Sequence, residues 1–304
     1  MKTIKVTMPA GIGDCHWVLM RMRAFRAWLE HQHNDKIHLV AHIAHDEHHK
    51  STEYVSLTRF FDEVVEDEHG MRGVVDHLNP IYATIAGSLG KDSRSGGRHL
   101  DYAFQANGHL EAGRRIEDWL PELNAFGGLD YTYPLDVRGD GSLDDVEFTP
   151  RILLYPSGTG PNVYFKSGWQ AEHWQALLET LNFHGHKPTF VGAGTRDDMG
   201  YFGSLHLEGD FENLVGKTSL REYMALIMSC RVWFGLNSGG GIVSAAMRRN
   251  TIMLWSDGDY GGRLAHAMQR NWVGDAPNYH PFSYGSGSEQ KMVDKLVEVC
   301  NATR

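Results

Sequence analysis

The sequence predicts an α/β fold made of two Rossmann-like domains with parallel sheets. Three observations support this fold class. The chain has 304 residues, which is more than a single hydrophobic core usually supports, so two domains are expected. A strand, a glycine loop and a helix open the chain, and a second alternation of strands and helices begins near Ile152. Such alternation predicts parallel sheets, because parallel neighbours need a crossover connection that a helix usually supplies.

The first half contains the opening strand, loop and helix. Apolar and polar residues alternate over residues 4–8, which is the pattern of a strand. After a loop at residues 10–14, apolar residues recur at helical spacing over residues 18–29 and predict one helix. Further strands are predicted over residues 37–43 and, more weakly, 101–105.

The second half begins after an acidic, glycine-containing stretch at residues 137–150, which is typical of a linker. We therefore predict domains over residues 1–145 and 146–304. A last amphipathic helix near residues 292–300 is a candidate for crossing back to the first domain. The second domain is predicted to contain strands over residues 152–155, 189–191, 232–236 and 251–255, and helices over residues 174–181, 220–230 and 243–247.

Composition narrows the class of protein. The net charge of −9 argues against a broad surface for polyanions, which are bound through excess Lys and Arg. No apolar stretch is long enough for a signal core or a membrane span, so we expect a cytoplasmic protein without integral membrane contact.

Three distant cysteines show neither a disulfide framework nor a zinc spacing. We interpret the clustered His42, His45, His48 and His49 as part of a solvated loop, and we expect no metal.

The first candidate site is the loop Gly11-Ile12-Gly13-Asp14-Cys15-His16, between a strand and a helix. Open α/β folds bind ligands at this edge of the sheet. The third position after Gly13 is His16 and not glycine, so the dinucleotide pattern GxGxxG is absent and a nicotinamide-dependent oxidoreductase is disfavoured. The alternative interpretation is a tight turn in which Asp14 caps the helix.

The second candidate site follows the strand at residues 152–155. A loop containing Ser157 and Gly158 offers backbone N–H groups to an anion, and Lys166 can neutralise a diphosphate leaving group. Ser167 and Gln170 form a capping-box pattern that predicts the start of the next helix. The alternative is a surface lysine beside a flexible loop.

The third candidate site combines Gly216-Lys217-Thr218-Ser219-Leu220 with a glycine run after the strand at residues 232–236. Ser219 and Glu222 form a second capping box. Glycines between a strand and a helix let a phosphate approach the helix N-terminus, where peptide dipoles favour it. Glycines that serve only close packing would look similar. The run comprises Asn237, Ser238, Gly239, Gly240 and Gly241.

Taken in order, these motifs resemble the lipopolysaccharide heptosyltransferase family, also described as glycosyltransferase family nine. Gly-Lys-Thr-Ser-Leu is the most specific of them. The resemblance implies a GT-B fold, in which an acceptor-binding N-terminal domain and a donor-binding C-terminal domain face each other across a cleft. The matching stretches are residues 11–14, 155–158, 166–174, 216–220 and 237–239.

The resemblance also implies metal-independent, inverting transfer from a nucleotide-diphosphate sugar, without a cofactor. Asp14 would be the general base, and Lys166 would stabilise the departing diphosphate. The implied donor-binding residues are Ser157, Gly158, Lys166, Thr218, Ser219, Asn237, Ser238, Gly239, Gly240 and Gly241. The implied acceptor-binding residues are Gly11, Gly13, Asp14, His16, Asn107 and His109.

Two departures from the family pattern stand at the donor side. The chain has Asn237 where the family usually has Asp, and Ile242 where it commonly has His. They motivate a second hypothesis, a non-catalytic nucleotide-sugar-binding protein. The charge balance leads us not to carry over heptose or lipid A core, so the acceptor is a saccharide or, if the chain is phage-encoded, a hydroxymethylated DNA base. Arginines that either contact an anionic acceptor or form a solvated basic face are Arg21, Arg23, Arg26, Arg114 and Arg115.

Overall fold

The computed structural model describes residues 1–8, 11–44, 50–67, 83–85, 102–104, 121–127, 135, 150–156, 169–192, 202–256, 277–284, 287 and 289–302. Contacts divide the chain into two compact units, Met1–Asp136 and Val137–Arg304. The predicted domain boundary between residues 145 and 146 lies outside the described residues.

The first unit contains a five-stranded sheet in the order β3-β2-β1-β5-β4. The described pairs are parallel except at the edge, where β4 runs antiparallel to β5. Its strands are β1 (Lys2–Met8), β2 (Ile37–Ala44), β3 (Glu63–Asp67), β4 (Ala83–Ile85) and β5 (Tyr102–Phe104). Its helices are α1 (Ile12–Leu19), α2 (Met22–His33), α3 (Lys50–Ser56) and a 3-10 helix at Pro121–Phe126.

The helix predicted over residues 18–29 is in fact two helices, α1 and α2, and the break lies at Arg21. The Arg21 side chain is buried. Its guanidinium donates hydrogen bonds to the backbone oxygen of Gly127 at 3.1 Å and to Oδ1 of Asn124 at 2.8 Å. These contacts with a distant segment hold the chain at the break between the two helices. The spacing of apolar residues cannot reveal the break, because it depends on tertiary contacts.

The second unit contains a six-stranded sheet in the order β8-β7-β6-β9-β10-β11. Every described pair is parallel, and this order is that of a doubly wound Rossmann fold. The predicted α/β class is therefore confirmed. The strands are β6 (Ile152–Tyr155), β7 (Thr189–Phe190), β8 (Glu212–Asn213), β9 (Val232–Leu236), β10 (Asn250–Ser256) and β11 (Tyr279–Tyr284). The helices are α4 (Ala171–Phe183), α5 (Leu220–Ser229), α6 (Gly239–Ala246) and α7 (Glu289–Ala302).

The two predicted capping boxes have different outcomes. At α5, the Ser219 hydroxyl accepts from the backbone N–H of Glu222 at 3.2 Å, and the Glu222 carboxylate accepts from the backbone N–H of Ser219 at 2.7 Å. The prediction is confirmed there. At α4, the N-cap is Gln170, whose backbone N–H donates to Nδ1 of His173 at 3.0 Å. The predicted start at Ser167 is therefore wrong, because the reciprocal pair that caps the helix lies three residues later.

Aromatic rings fill the core of the second unit. Trp174 on α4 is fully buried and meets Phe234 on β9 nearly edge-on, with ring centroids 5.9 Å apart. The apolar stripe of α7 packs into the same core, so its hydrophobic face is used within this unit. Burying each such side chain stabilises the fold by about 1.5–3 kcal/mol. The stripe consists of Met292, Leu296, Val299 and Cys300.

Gly235 allows β6 and β9 to approach closely. It lies opposite Tyr155 in the parallel register. A Cβ at Gly235 would overlap the backbone oxygen of Tyr155, and backbone cannot move aside as a flexible side chain can. This pairing therefore requires glycine.

We predict that Gly235→Ala destabilises the second unit by about 1–3 kcal/mol, because the added methyl group must push β6 and β9 apart. Gly203→Ala is the matched control, since a Cβ there would meet nothing within 4 Å. Thermal unfolding followed by circular dichroism measures both variants. Equal melting temperatures for the two would contradict the packing argument.

Candidate active site

The strand order of the second unit reverses between β6 and β9, which are hydrogen-bonded neighbours. Open α/β sheets bind ligands at such a reversal, outside the carboxyl ends of the strands, because the crossovers diverge there and leave a crevice. β6 ends at Tyr155 and β9 ends at Leu236. The two strands end at the same sheet edge, and the predicted donor residues Asn237 and Ser238 follow β9 there.

The start of α6 carries the predicted Ser238. This residue is the N-cap, and the first helical bond runs from the backbone N–H of Ile242 to the Ser238 oxygen at 3.1 Å. The N–H groups of Gly239, Gly240 and Gly241 consequently have no carbonyl acceptor within the helix. Ser238 is only 7% exposed, and within the described part of the chain its hydroxyl has no hydrogen-bond partner. Buried hydroxyls normally have one, so a polar ligand is a suitable partner.

Gly240 and Gly241 also pack closely. A Cβ at Gly240 would overlap the hydroxyl of Tyr223, and one at Gly241 would lie 2.7 Å from the ring of Trp233. The helix predicted over residues 243–247 begins earlier, at Gly239, so these glycines form its first turn and not a preceding loop. Packing therefore requires glycine at residues 240 and 241. The N–H groups of these glycines still point along the helix axis toward its amino end.

Three buried aromatic residues that the sequence analysis missed lie beneath this turn. The ring of Tyr155 stacks on Trp233 with centroids 5.8 Å apart and on Tyr223 at 6.3 Å. These rings come from β6, β9 and α5, so they join the two central strands to the helix that touches Gly240. The sequence pattern that could have indicated these aromatic residues is a tyrosine at the end of one strand together with the glycines at residues 235 and 239–241.

Within the Gly-Lys-Thr-Ser-Leu motif, the fold already uses the side chains of Lys217 and Ser219, whereas the Thr218 hydroxyl could bind a ligand. The Ser219 hydroxyl is used in capping α5. The Lys217 ammonium donates to the backbone oxygen of Asn213 at 2.8 Å. The Thr218 hydroxyl is buried, and among the described residues no hydrogen-bond partner contacts it. Within this motif, Thr218 is thus the hydroxyl with unused capacity, and the predicted donor contact at Ser219 gains no support.

In the first unit, the strand order reverses between β1 and β5. Gly11, which follows β1, is the N-cap of α1 and has a φ of 106°, a conformation that favours glycine. Gly13 and the backbone of Asp14 lie in the first turn of α1. Predicted residues that lie outside the described part of the chain are Asn107, His109, Ser157, Gly158 and Lys166.

His16 is fully buried, which does not fit the predicted direct contact with an acceptor. Its Nδ1 shares a 2.6 Å hydrogen bond with the hydroxyl of Tyr54 on α3. Burial lowers the pKa of His16 to about 3, so the ring is neutral. A second link joins the same helices, because the backbone N–H of Gly11 donates to the Ser51 hydroxyl at 2.9 Å. Ser51 and Tyr54 carried no sequence motif that could have identified them.

The fold itself uses some of the predicted polar side chains of the first unit. The Arg26 guanidinium donates to the backbone oxygens of Phe60 at 3.1 Å and Ile37 at 3.0 Å. Together with the buried Arg21, this argues against acceptor contacts at two of the five predicted arginines, whereas Arg23 is exposed and Arg114 and Arg115 lie outside the described residues. His42 lies buried in β2 and not in a solvated loop.

Two findings concern the described residues as a whole. No group of three His, Cys, Asp or Glu side chains among them could hold a metal ion. None of the helices in the same ranges is long and apolar enough to cross a membrane.

Residues 140–284 match the family model of glycosyltransferase family 9 (heptosyltransferase). The match covers slightly less than half of the chain and lies within the second unit. This match confirms the predicted resemblance to heptosyltransferase-like glycosyltransferases and the assignment of the chain as a glycosyltransferase. A search of the curated proteins gives no significant match.

Solved structures of this family share the fold across the whole length. The ADP-heptose lipopolysaccharide heptosyltransferase II of Escherichia coli is 14% identical, with a TM-score of 0.60, over 100% of this chain and 99% of that one. E. coli heptosyltransferase WaaC with ADP is 13% identical, with a TM-score of 0.60, over 100% of both chains. A family 9 glycosyl transferase from Veillonella parvula is 14% identical, with a TM-score of 0.57, over 99% of this chain and 96% of that one. The glycosyltransferase thus has the GT-B fold.

We predict that burial of His16 makes the glycosyltransferase sensitive to acid. The unfolded chain binds a proton at this residue near its ordinary pKa of 6.5, whereas the folded protein excludes it until about pH 3. The free energy of unfolding should therefore fall as the pH drops through this window, by about 2 kcal/mol at about pH 5. Urea unfolding at about pH 7.5 and about pH 5 measures the difference.

The variant His16→Gln removes the titrating group. The matched control is His206→Asn, which removes an exposed histidine. Residue 206 has a left-handed backbone conformation, and asparagine tolerates that conformation. His16→Gln should reduce the dependence of the unfolding free energy on pH, and His206→Asn should leave it as in wild type. The same pH dependence in wild type and His16→Gln would refute the assignment.

Proposed function

We propose that this protein is an inverting, metal-independent transferase that needs no cofactor and moves a sugar from a nucleotide-diphosphate sugar to an acceptor hydroxyl. In this proposal the second unit binds the donor and the first unit binds the acceptor. The acceptor is a saccharide, and a hydroxymethylated DNA base is the alternative. One similar structure is an ADP-heptose lipopolysaccharide heptosyltransferase and another is a heptosyltransferase with ADP, so adenine nucleotides are the first donors to test.

The proposed donor site rests on one observation, which is the state of the Ser238 hydroxyl. This hydroxyl is buried at the amino end of α6, beside three N–H groups that lack helical acceptors, and within the described residues it has no partner. A diphosphate oxygen would accept from these groups, and the α6 dipole would favour its charge. The position of Ser238 supports this proposal, because the residue follows β9 at the reversal of strand order and Rossmann sheets bind nucleotides at such reversals.

Thr218 is a second candidate for donor contact. Its hydroxyl is buried and, among the residues described, it has no partner, unlike the capping Ser219. In our proposal Lys166 adds positive charge as the diphosphate leaves. Hydrogen bonds and a lysine can stabilise the developing charge directly, without a divalent ion.

In the reaction, the Asp14 carboxylate would take the proton of the acceptor hydroxyl. The acceptor oxygen would form a bond to the anomeric carbon, and the bond from that carbon to the diphosphate oxygen would break on the opposite side. The products are a glycoside of inverted configuration, a nucleoside diphosphate and a proton on Asp14. A first-turn position in α1 supports this role, because the helix N-terminus stabilises the ionised carboxylate.

The two departures from the family pattern have different weight. Ile242 is 6% exposed and packs as a core residue, so position 242 is apolar here for packing. Asn237 is half-buried, and its backbone N–H donates to the Leu254 oxygen at 3.0 Å, which extends the pairing of β9 with β10. A neutral amide at residue 237 can still donate and accept hydrogen bonds with a donor hydroxyl. We therefore favour transfer over a purely binding function.

We predict that wild-type protein releases nucleoside diphosphate from at least one nucleotide sugar and adds one sugar mass to an acceptor. The assay combines a nucleotide-sugar panel that includes ADP-heptose with saccharide and hydroxymethylated-DNA acceptors. Asp14→Asn should lower turnover by about 100-fold or more, because a general base typically contributes that much. Donor affinity should persist in this variant.

The assay has two contradicting outcomes. Donors that raise the melting temperature of wild type but yield no diphosphate with any acceptor would favour the binding protein instead. Unchanged turnover in Asp14→Asn would show that another group is the base.

We predict that Ser238→Ala raises the dissociation constant of the donor about 10-fold or more, because a hydrogen bond to a charged group contributes about 1.5–3 kcal/mol. Ser229→Ala is the control, since the Ser229 hydroxyl donates to its own helix, to the Ala225 oxygen at 2.9 Å. Isothermal titration calorimetry with the active nucleotide sugar measures both variants. Equal affinity in Ser238→Ala and wild type would exclude this hydroxyl from the donor site.

A further inference from the structure

We propose that Ser51 and Tyr54 on α3 are positioning residues for Asp14. This proposal rests on the proposed function and deepens it. The two side chains bind α1 at points on either side of Asp14, and together they hold the helix turn that carries the carboxylate.

The first contact fixes where α1 begins. The backbone N–H of Gly11 donates to the Ser51 hydroxyl at 2.9 Å, and Ser51 is 1% exposed. Gly11 is the N-cap, and its φ of 106° leaves the chain with a sharp change of direction there. A hydrogen bond from the loop to the buried Ser51 side chain selects one path of the loop into the helix, because the alternatives would take this donor away from the buried Ser51 hydroxyl.

The second contact fixes the rotation of α1. His16 lies two residues after Asp14, and its Nδ1 shares a 2.6 Å hydrogen bond with the Tyr54 hydroxyl. Both side chains are fully buried. A helix bound at Gly11 and at His16 cannot turn about its axis without breaking one of the two bonds.

Both anchors come from one face of one helix. Ser51 and Tyr54 are three residues apart on α3, a spacing that places side chains on the same side of a helix. α3 therefore acts as a rigid brace along the first turn of α1. General-base catalysis depends strongly on the placement of the base, and displacement by about 1 Å can cost on the order of 100-fold in rate.

The variants Ser51→Ala and Tyr54→Phe each remove one anchor and keep the remaining side chain. We expect each to lower kcat by about 10- to 100-fold, with the donor KM changed less than about twofold, because donor binding lies in the other unit. Amide hydrogen exchange over residues 11–16 should become faster in both variants. Thr58→Val is the matched control, because the Thr58 hydroxyl is also buried near α3 but donates to the Val55 oxygen at 2.7 Å.

The proposal is overturned by any of three results: wild-type kcat in Ser51→Ala and Tyr54→Phe, unchanged exchange over residues 11–16, or an equal loss of kcat in Thr58→Val. These results differ from failure of the proposed function itself, which would appear as absence of transfer by the wild-type protein and would overturn both. Faster exchange with lower kcat and unchanged donor KM supports the brace. Exchange is measured at a temperature at which all variants are folded, so a general loss of stability does not produce that pattern.

Discussion

The close parallel pairing of β6 with β9 is the constraint on which the second unit depends. Gly235 permits it, since a side chain there would collide with the backbone of Tyr155. The pairing places the reversal of strand order between these strands and seats Tyr155 against Trp233 and Tyr223. Tyr223 in turn contacts the first turn of α6. One tight backbone approach thus determines where a helix N-terminus meets the edge of the sheet.

The first unit reaches a comparable arrangement by hydrogen bonding and not by close backbone packing. Its glycine loop also follows a strand beside a reversal, but α1 is held by the side chains of Ser51 and Tyr54. Keeping His16 neutral in the core lets this link exist without an unpaired buried charge, which would be far more costly. Both units therefore place a helix N-terminus beside a reversal of strand order, which is where open α/β sheets bind ligands.

Polar groups in the second unit divide according to whether the fold already uses them. Ser219 is engaged in a helix cap and Lys217 in a loop contact. Ser238 and Thr218 have buried hydroxyls without partners in the described ranges. Since burial without a hydrogen bond is costly, the engaged groups explain stability, whereas the others suit a ligand. Neighbouring residues of one sequence motif, such as Thr218 and Ser219, therefore have different physical roles.

The sequence by itself determined the α/β class, the order of the motifs and the capping box at Ser219, because strand alternation, helical spacing and caps are local properties. It could not determine the break at Arg21, the early start of α6 or the burial of His16. The first rests on hydrogen bonds to Asn124 and Gly127, more than a hundred positions away along the chain. The brace from α3 and the stacked aromatic rings likewise join residues distant in sequence. Only the tertiary structure decides such contacts, since chain folding and not local propensity brings their atoms together.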